Sequence, residues 1–512
     1  SLHIAARKAS NIADILSLLA LDIGTSSIRA LLYDARGTAV PGVHAQLTYP
    51  LTTSRAGEVS VDADVLVDCV ARAINEVLQK AGERAKTIAG VATSTFWHSL
   101  LPLNATGRPL LPLMTWEDTR PQQAAAELRA RLDEAAIHQR TGARLHASYW
   151  PAKLAWLQSA HPEIAEHTAR YTSFGEYLHE CFLGHAVCSL SMASGTGLLN
   201  RQTHTWDTPL LAQLQLSGSQ LPPVGDLSDT CHGLTPTYAQ RWPILNRVPW
   251  FPAIGDGAAA NLGSNCTTSS TWAVSMGTSS AIRVVVPPEQ GVLEQGLWLY
   301  AVDKRHALLG GALSEGGNLL AWLTNTLQLP SLRELDTQLA SMKPAAHGLT
   351  ILPQLAGERS PGWHSHATMT ISGLTLRSTP QEIALAALEA VVFQLSQVYD
   401  QLIHALSPHI TQPRLIASGG ALLNSTLLRH MLADILNRPL ELSKNGEASA
   451  RGAALLALET LGVLPVVAQL APEISTIVQP DPARHTIYQQ ARERQQALYR
   501  VLLPSISPLA TD

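Results

Sequence analysis

Along residues 17–34 the chain is apolar almost without a break, SLLALDI and then IRALLYD, parted only by the small hydroxyl-bearing step GTSS. Long β-favouring runs on both sides of a Gly/Ser turn predict strand, loop, strand. The same figure returns about half a chain later, where TWAVSM and AIRVVV flank a second GTSS at Gly277–Ser280. Between the copies, 62–80 has helical spacing with Val65, Cys69, Ile74 and Leu78 toward one face. Strands are predicted at 87–94 and 99–103, the second ending in the turn Asn104-Ala105-Thr106-Gly107, and 121–182 reads as mostly helical. A Pro/Gly/Ser-rich stretch covers 217–237.

The second half opens with a strand-like run at 248–254, a Gly-Asp-Gly turn and a short helix, then the second strand–loop–strand. A further strand is predicted over 300–310 and a helix start over 314–323. Thr379-Pro380-Gln381-Glu382 is a capping box with proline at the first helical position, opening an apolar helix to about Leu406. A buried strand is predicted at 414–417, then Gly419-Gly420 and a helix capped at Asn424 or Ser425. The pattern is that of a two-domain α/β chain with a weak internal duplication.

Length agrees, since 512 residues exceed what one hydrophobic core usually covers. A net charge of −4 carries no bias toward polyanions, which excludes nucleic acid as a partner; the basic cluster Arg492–Arg494 reads as a solvated helix face. Five scattered cysteines without a CxxC pair speak against a disulfide framework or zinc knuckle and for a reducing, cytoplasmic setting. The histidines include no HExxH, and His364-Ser365-His366 on a Gly/Pro-flanked loop is only a weak metal candidate. No run reaches the ~20 apolar residues that span a bilayer, so no membrane role is expected. Residues 1–16 lack the apolar segment of a signal peptide and read as an extension outside the fold.

A turn of Gly, Thr and Ser between two strands exposes backbone N–H groups and hydroxyls that suit phosphate oxygens. One such loop is as readily a hairpin turn; two in matching contexts favour phosphate. Only the first is preceded by a carboxylate, Asp22, able to organise Mg²⁺ or its waters; the second has Ser275 there. One loop is therefore expected to serve metal and phosphate, the other phosphate alone.

With DIGTSSIR, SMGTSS and SGGALLNSTLLRHMLADIL, the chain resembles the hexokinase–Hsp70–actin ATPase superfamily, and within it the FGGY carbohydrate kinases. TWEDTR (115–120), KLAWL (153–157), IGDGAAANLG (254–263), LPQLAGERSP (352–361) and SGLTLRSTPQEIALAALEA (372–390) follow in family order, and the resemblance covers roughly 17–460. It implies two ribonuclease-H-like, actin-like ATPase domains flanking a deep cleft. The expected division is 17–247 for sugar and first phosphate loop, 248–475 for nucleotide, and 476–512 as a C-terminal helical segment. The implied cofactors are ATP and Mg²⁺, the implied partner is a small sugar or sugar acid, and the family is often dimeric.

Carried over onto this chain, Asp22 holds Mg²⁺, and Gly24, Thr25, Ser26 and Arg29 approach the transferring phosphates. Gly277 and Thr278 hold nucleotide phosphates, Gly316 or Gly317 lines the nucleotide site, and Gly419, Gly420 and Asn424 contact α-phosphate, ribose and adenine. Asp256, in isolation a turn residue, becomes the general base that deprotonates the acceptor alcohol. Trp97, His98, Trp116 and Asp118 are the sugar-site candidates, with core packing the alternative for both tryptophans. Xylulose kinases usually carry asparagine after the catalytic aspartate and glycerol kinases glutamine; Gly257 departs from both. TWEDTR and GTSSAIRVVV are similar to the gluconate kinases, although Phe96-Trp97-His98 and Ser360-Pro361-Gly362-Trp363 differ from that subgroup. The implied reaction is transfer of the γ-phosphate to a terminal hydroxyl, of gluconate first, xylulose or ribulose next. A sugar-independent actin- or Hsp70-like ATPase is the alternative of another class.

Overall fold

The computed structural model describes residues 16–289, 293–355, 357–407, 410 and 412–503. The expected N-terminal extension lies outside them except for Leu16.

Each GTSS step closes a hairpin at the centre of its own sheet. In the first, Ser17–Ile23 pairs antiparallel with Ser27–Asp34 and parallel with Ile88–Thr95; Ala39–Thr48 and Ile254–Gly255 complete five strands. In the second, Thr271–Met276 pairs antiparallel with Ser280–Val286 and parallel with Arg414–Ser418, within a sheet of seven. The duplication is thus a duplication of pairing: hairpin, then a returning parallel strand beside its first arm.

Five sequence expectations shift. The helix Ala63–Ala81 is capped by Asp62, but its buried stripe runs through Leu66, Val70, Ile74 and Val77, and Val65 is 46% exposed. Cys69 and Ile74 are buried as expected, whereas Arg72, two turns beyond Val65, and Glu76 beyond it hold the Val65 side toward solvent. Over 248–254 only Ile254–Gly255 is a strand; Pro249 and Pro252 have no N–H to give a ladder, and Trp250 makes isolated bridges to Val91 and Cys231. That strand joins the first sheet, although it lies beyond residue 248. The single strand expected at 300–310 is a hairpin, Trp298–Ala301 with Ala307–Leu313, whose turn is held by Asp303 Oδ1 accepting from the N–H groups of Arg305 and His306. The helix expected from 314 starts later, as Gly317–Thr326.

The capping box forms as read: Thr379 Oγ1 accepts from Glu382 N and Glu382 Oε2 from Thr379 N, opening Pro380–Leu406. That helix is long and apolar enough to cross a membrane, but 83% of its most apolar window is buried inside the protein, where it forms the centre of the second core. Ser425, not Asn424, caps Thr426–Leu436, accepting from Leu428 N at 3.0 Å.

The two sheets are bridged where Asp256–Gly263, in contact with Ile88–Thr95 of the first and Ser280–Val286 of the second, crosses Ala448–Thr460. A Cβ on Gly263 would lie 1.8 Å from Ala448 O, and one on Gly452 1.8 Å from Ala259 O. Backbone touches backbone, which only glycine permits. Ala448–Thr460 also packs on Ser17–Ile23 and Ile88–Thr95, so it covers the first sheet while belonging to the second half. Arg451 fastens the crossing, donating to Gly263 O at 2.6 Å and Gly37 O at 3.1 Å. Gly452→Ala is expected to lose about 1–3 kcal/mol in chemical denaturation. Gly218→Ala, with nothing within 4 Å of the added carbon, is the control that stays close to wild type.

Candidate functional site

Both GTSS loops open onto one cleft of about 330 Å³ between the sheets. From the first hairpin Asp22, Thr25 and Arg29 line it; from the second, Ser275, Gly277, Thr278 and Arg283. Gly24 turns the first loop, its N–H donating to Ser27 O at 3.0 Å, and Ser26 points to solvent, so neither lines the cleft.

Facing strands bring Asp22 opposite Arg29, and Arg29 Nη1 lies 3.4 Å from Asp22 Oδ2. Arg29 also reaches Glu447 at 3.4 Å. Burial, with the charges of Asp256 and Glu447, pushes the Asp22 carboxyl up to about 7 against the pull of Arg29. The second hairpin repeats this pairing in neutral form: Arg283 Nη1 donates to Ser275 Oγ at 2.9 Å. Sequence reading missed Arg283, although its place on the return strand echoes that of Arg29.

Asp256 is the first residue of its helix and faces the cleft, its Oδ1 accepting from Gly257 N at 2.8 Å. Burial raises its pKa, and Arg283 is the strongest charge opposing that rise. Trp97 stands beside it with its indole N–H on Ser191 O at 2.9 Å. The ring leaves no room for side chains: a Cβ on Gly255 would lie 1.8 Å from it, on Gly195 2.3 Å and on Gly257 2.7 Å. Gly257 is therefore required by Trp97.

His98 lines the same cleft in a left-handed conformation, φ 68°. Its Nδ1 meets the carbonyl of Gly195, which can only accept, so Nδ1 carries the proton. Burial holds the ring neutral, with a pKa of about 3, and Nε2 keeps its lone pair. Lys153, from KLAWL, is fully buried and staples this corner, donating to His98 O at 2.5 Å and Thr115 O at 2.8 Å. Trp116 lines the cleft and donates to Thr25 Oγ1 at 3.1 Å, tying the sugar-site motif to the first loop. Asp118 is not part of the lining; it is fully buried in a bidentate pair with Arg120, whose guanidinium lies over Trp156. Its work is to pack TWEDTR against KLAWL.

An adjoining pocket of about 840 Å³ shares Gly277 and Thr278 with the cleft and adds Gly317, Asn318, Gly420, Asn424 and an apolar wall including Leu332 and Leu335. Gly316 sits behind the second loop, where a Cβ would lie 2.8 Å from Ser279 C, and Gly317 N donates to Gly277 O at 2.7 Å. Gly419 belongs to the cleft; its φ of 91° and the Met276 carbonyl 2.5 Å from a built Cβ exclude other residues. Tyr149, Tyr300, Arg359, Trp363 and Glu447 also line the cleft without having been singled out from the sequence. No group of three or more His, Cys, Asp or Glu side chains able to hold a metal by themselves occurs among the described residues, the His364–His366 loop included.

Residues 17–263 match the N-terminal domain of the FGGY family of carbohydrate kinases, and 272–460 match its C-terminal domain. The chain is 27% identical to the gluconokinase of Bacillus licheniformis over 456 residues, covering 87% of this chain and 88% of that protein. It is 28% identical to the xylulose kinase of Escherichia coli strain K12 over 501 residues, 95% of this chain and 99% of that one. The structure superposes on the gluconate kinase of Lactobacillus acidophilus with a TM-score of 0.87 and 28% identity, over 96% and 98% of the two chains. The chain belongs to the FGGY family of carbohydrate kinases and is an ATP-dependent sugar phosphotransferase.

Proposed function

We propose that the enzyme phosphorylates a terminal hydroxyl of gluconate or a closely similar open-chain sugar acid, with Asp256 as general base. The observation that carries this is the position of Asp256 at the meeting of the two phosphate-type loops, in one cleft with a neutral His98 whose unprotonated Nε2 is able to accept from a hydroxyl. Similarity to the gluconokinase of Bacillus licheniformis and the gluconate kinase of Lactobacillus acidophilus favours the acid. Similarity to a xylulose kinase favours a pentulose as the second reading.

Asp256 takes the hydroxyl proton as the phosphoryl group transfers, and Arg283 opposes the rise that burial gives its pKa. Arg29, Thr25, Gly277 and Thr278 orient the phosphates, and the apolar pocket beyond takes the adenosine between Gly317 and Asn424. Asp22 fits a Mg²⁺ ligand: its buried carboxyl is crowded by Asp256 and Glu447, and Mg²⁺ typically takes one or two carboxylates with phosphates and waters. The ion supplies charge neutralisation on the phosphates when bound.

Four outcomes test this. Asp256→Ala abolishes transfer while ATP binding by calorimetry persists, and a panel of gluconate, xylulose, ribulose, erythritol, glycerol and fuculose with Mg·ATP ranks gluconate first; equal, poor activity on all six rejects the acid. Removing Arg283 lets the pKa of Asp256 climb further, so in Arg283→Met the acidic limb of the kcat/KM profile moves to higher pH. Asp22→Asn lowers kcat by about 100-fold or more, as for loss of one transition-state charge contact, and by more than Ser275→Ala does; the reverse order contradicts the division of labour between the loops.

A further inference from the structure

Resting on the sugar-acid reading, we propose that Arg359 is the specificity-determining residue that binds the carboxylate of the substrate. Three features of the cleft converge on it.

Arg359 lines the cleft, with its guanidinium 4.6 Å over the ring of Trp116. The one hydrogen bond that its side chain makes to the described residues runs from Nη2 to Leu313 O at 2.5 Å, and its buried Nε–H has no acceptor. Among the described residues it has no carboxylate within 4.0 Å. Glu315 and Glu117 act on it only from farther away, and burial raises the pKa of both. A guanidinium cannot shed its proton to escape burial, so a half-buried one without an ion pair marks a place for an anion.

Its neighbours place that anion at the sugar end of the cleft. Trp363 N donates to Arg359 O at 2.7 Å, so one turn of chain carries both residues into the lining. The Trp363 ring lies 6.0 Å from Tyr149 and 5.4 Å from His146, and Tyr149 shares a hydrogen bond with Tyr300. Arg283, the other arginine of this region, is committed elsewhere: it donates to Ser275 and is the principal charge facing Asp256. An extended sugar acid then has its terminal hydroxyl at Asp256, its middle hydroxyls against His98, and its carboxylate on the free edge of Arg359. Trp116 sets the plane of the guanidinium and so the direction of its N–H groups.

The test compares gluconate with glucitol, which replaces only the carboxylate by CH₂OH, on wild type, Arg359→Met, Arg359→Gln and Arg359→Lys. In wild type, kcat/KM favours gluconate. In Arg359→Met and Arg359→Gln the gluconate-to-glucitol ratio falls about 100-fold, the scale of one or two charged hydrogen bonds, with gluconate Kd by calorimetry rising in step. Arg359→Lys, which keeps the charge but not the fork, recovers part of the ratio. An unchanged ratio in variants with wild-type circular dichroism overturns the assignment and leaves the sugar-acid reading intact. A loss of Mg·ADP affinity equal to the loss of gluconate affinity overturns it in favour of a phosphate contact. A wild type that prefers glucitol or xylulose to gluconate rejects the sugar-acid reading itself, and this proposal with it.

Discussion

The site depends on one contact, the meeting of two helix backbones at Gly263 and Gly452. It fixes how closely the sheets approach, because each helix carries a reacting-end residue at its start. Asp256 is the first residue of one; Glu447 immediately precedes the other and pairs with Arg29. Both helices therefore present their N-terminal ends to the cleft, where oriented N–H groups and the helix dipole favour negative charge. Such ends suit bound phosphates, and they also ease the cost of holding Asp22, Asp256 and Glu447 near one another. A bulkier residue at the crossing would separate the sheets, and with them the two phosphate-type loops.

The duplicated hairpins show how a repeated backbone acquires unequal chemistry. Both place an arginine on the return strand against the residue two positions before the loop glycine. Where that residue is Asp22, the arginine is drawn into an ion pair and a charge cluster. Where it is Ser275, the hydroxyl takes one N–H and leaves the guanidinium net positive, with Asp256 as its main electrostatic partner. Exchanging a carboxylate for a hydroxyl thus moves a positive charge from the metal side of the proposed reaction to the side of the base. The difference was visible in the sequence at positions 22 and 275; its consequence for Arg283 was not, because it requires the fold to bring Asp256 across.

What could be read in advance follows the range of the interactions. The two GTSS hairpins and the Thr379–Glu382 capping box are set within a few residues, and each is where the pattern puts it. The stripe of Ala63–Ala81 was misjudged because charged Arg72 and Glu76 outweigh Val65, which is a matter of the whole helix face. Asp118 was a sugar-site candidate by resemblance, yet its carboxylate is consumed by Arg120 two residues on. Tyr149, Tyr300 and the turn that carries Arg359 and Trp363 come from three segments far apart in the chain, so only the assembled cleft reveals them as one group.

Sterics around Trp97 tie the positions flanking Asp256 to one another. The ring fills the volume that side chains at 195, 255 and 257 would need, and Gly257 would bring its Cβ within 3.1 Å of Arg283 Nε as well. A polar side chain at 257 and an indole at 97 thus compete for one space, next to the Asp256 carboxylate. With the indole in place, a polar group at this end of the cleft must come from another strand, and Arg283 is the one that arrives. Trp97, Gly255, Gly257 and Arg283 form one steric and electrostatic unit, so substituting an amide at 257 alone would displace the ring before it offered a substrate any hydrogen bond. The packing around Asp256 therefore limits which side chains can line this end of the cleft.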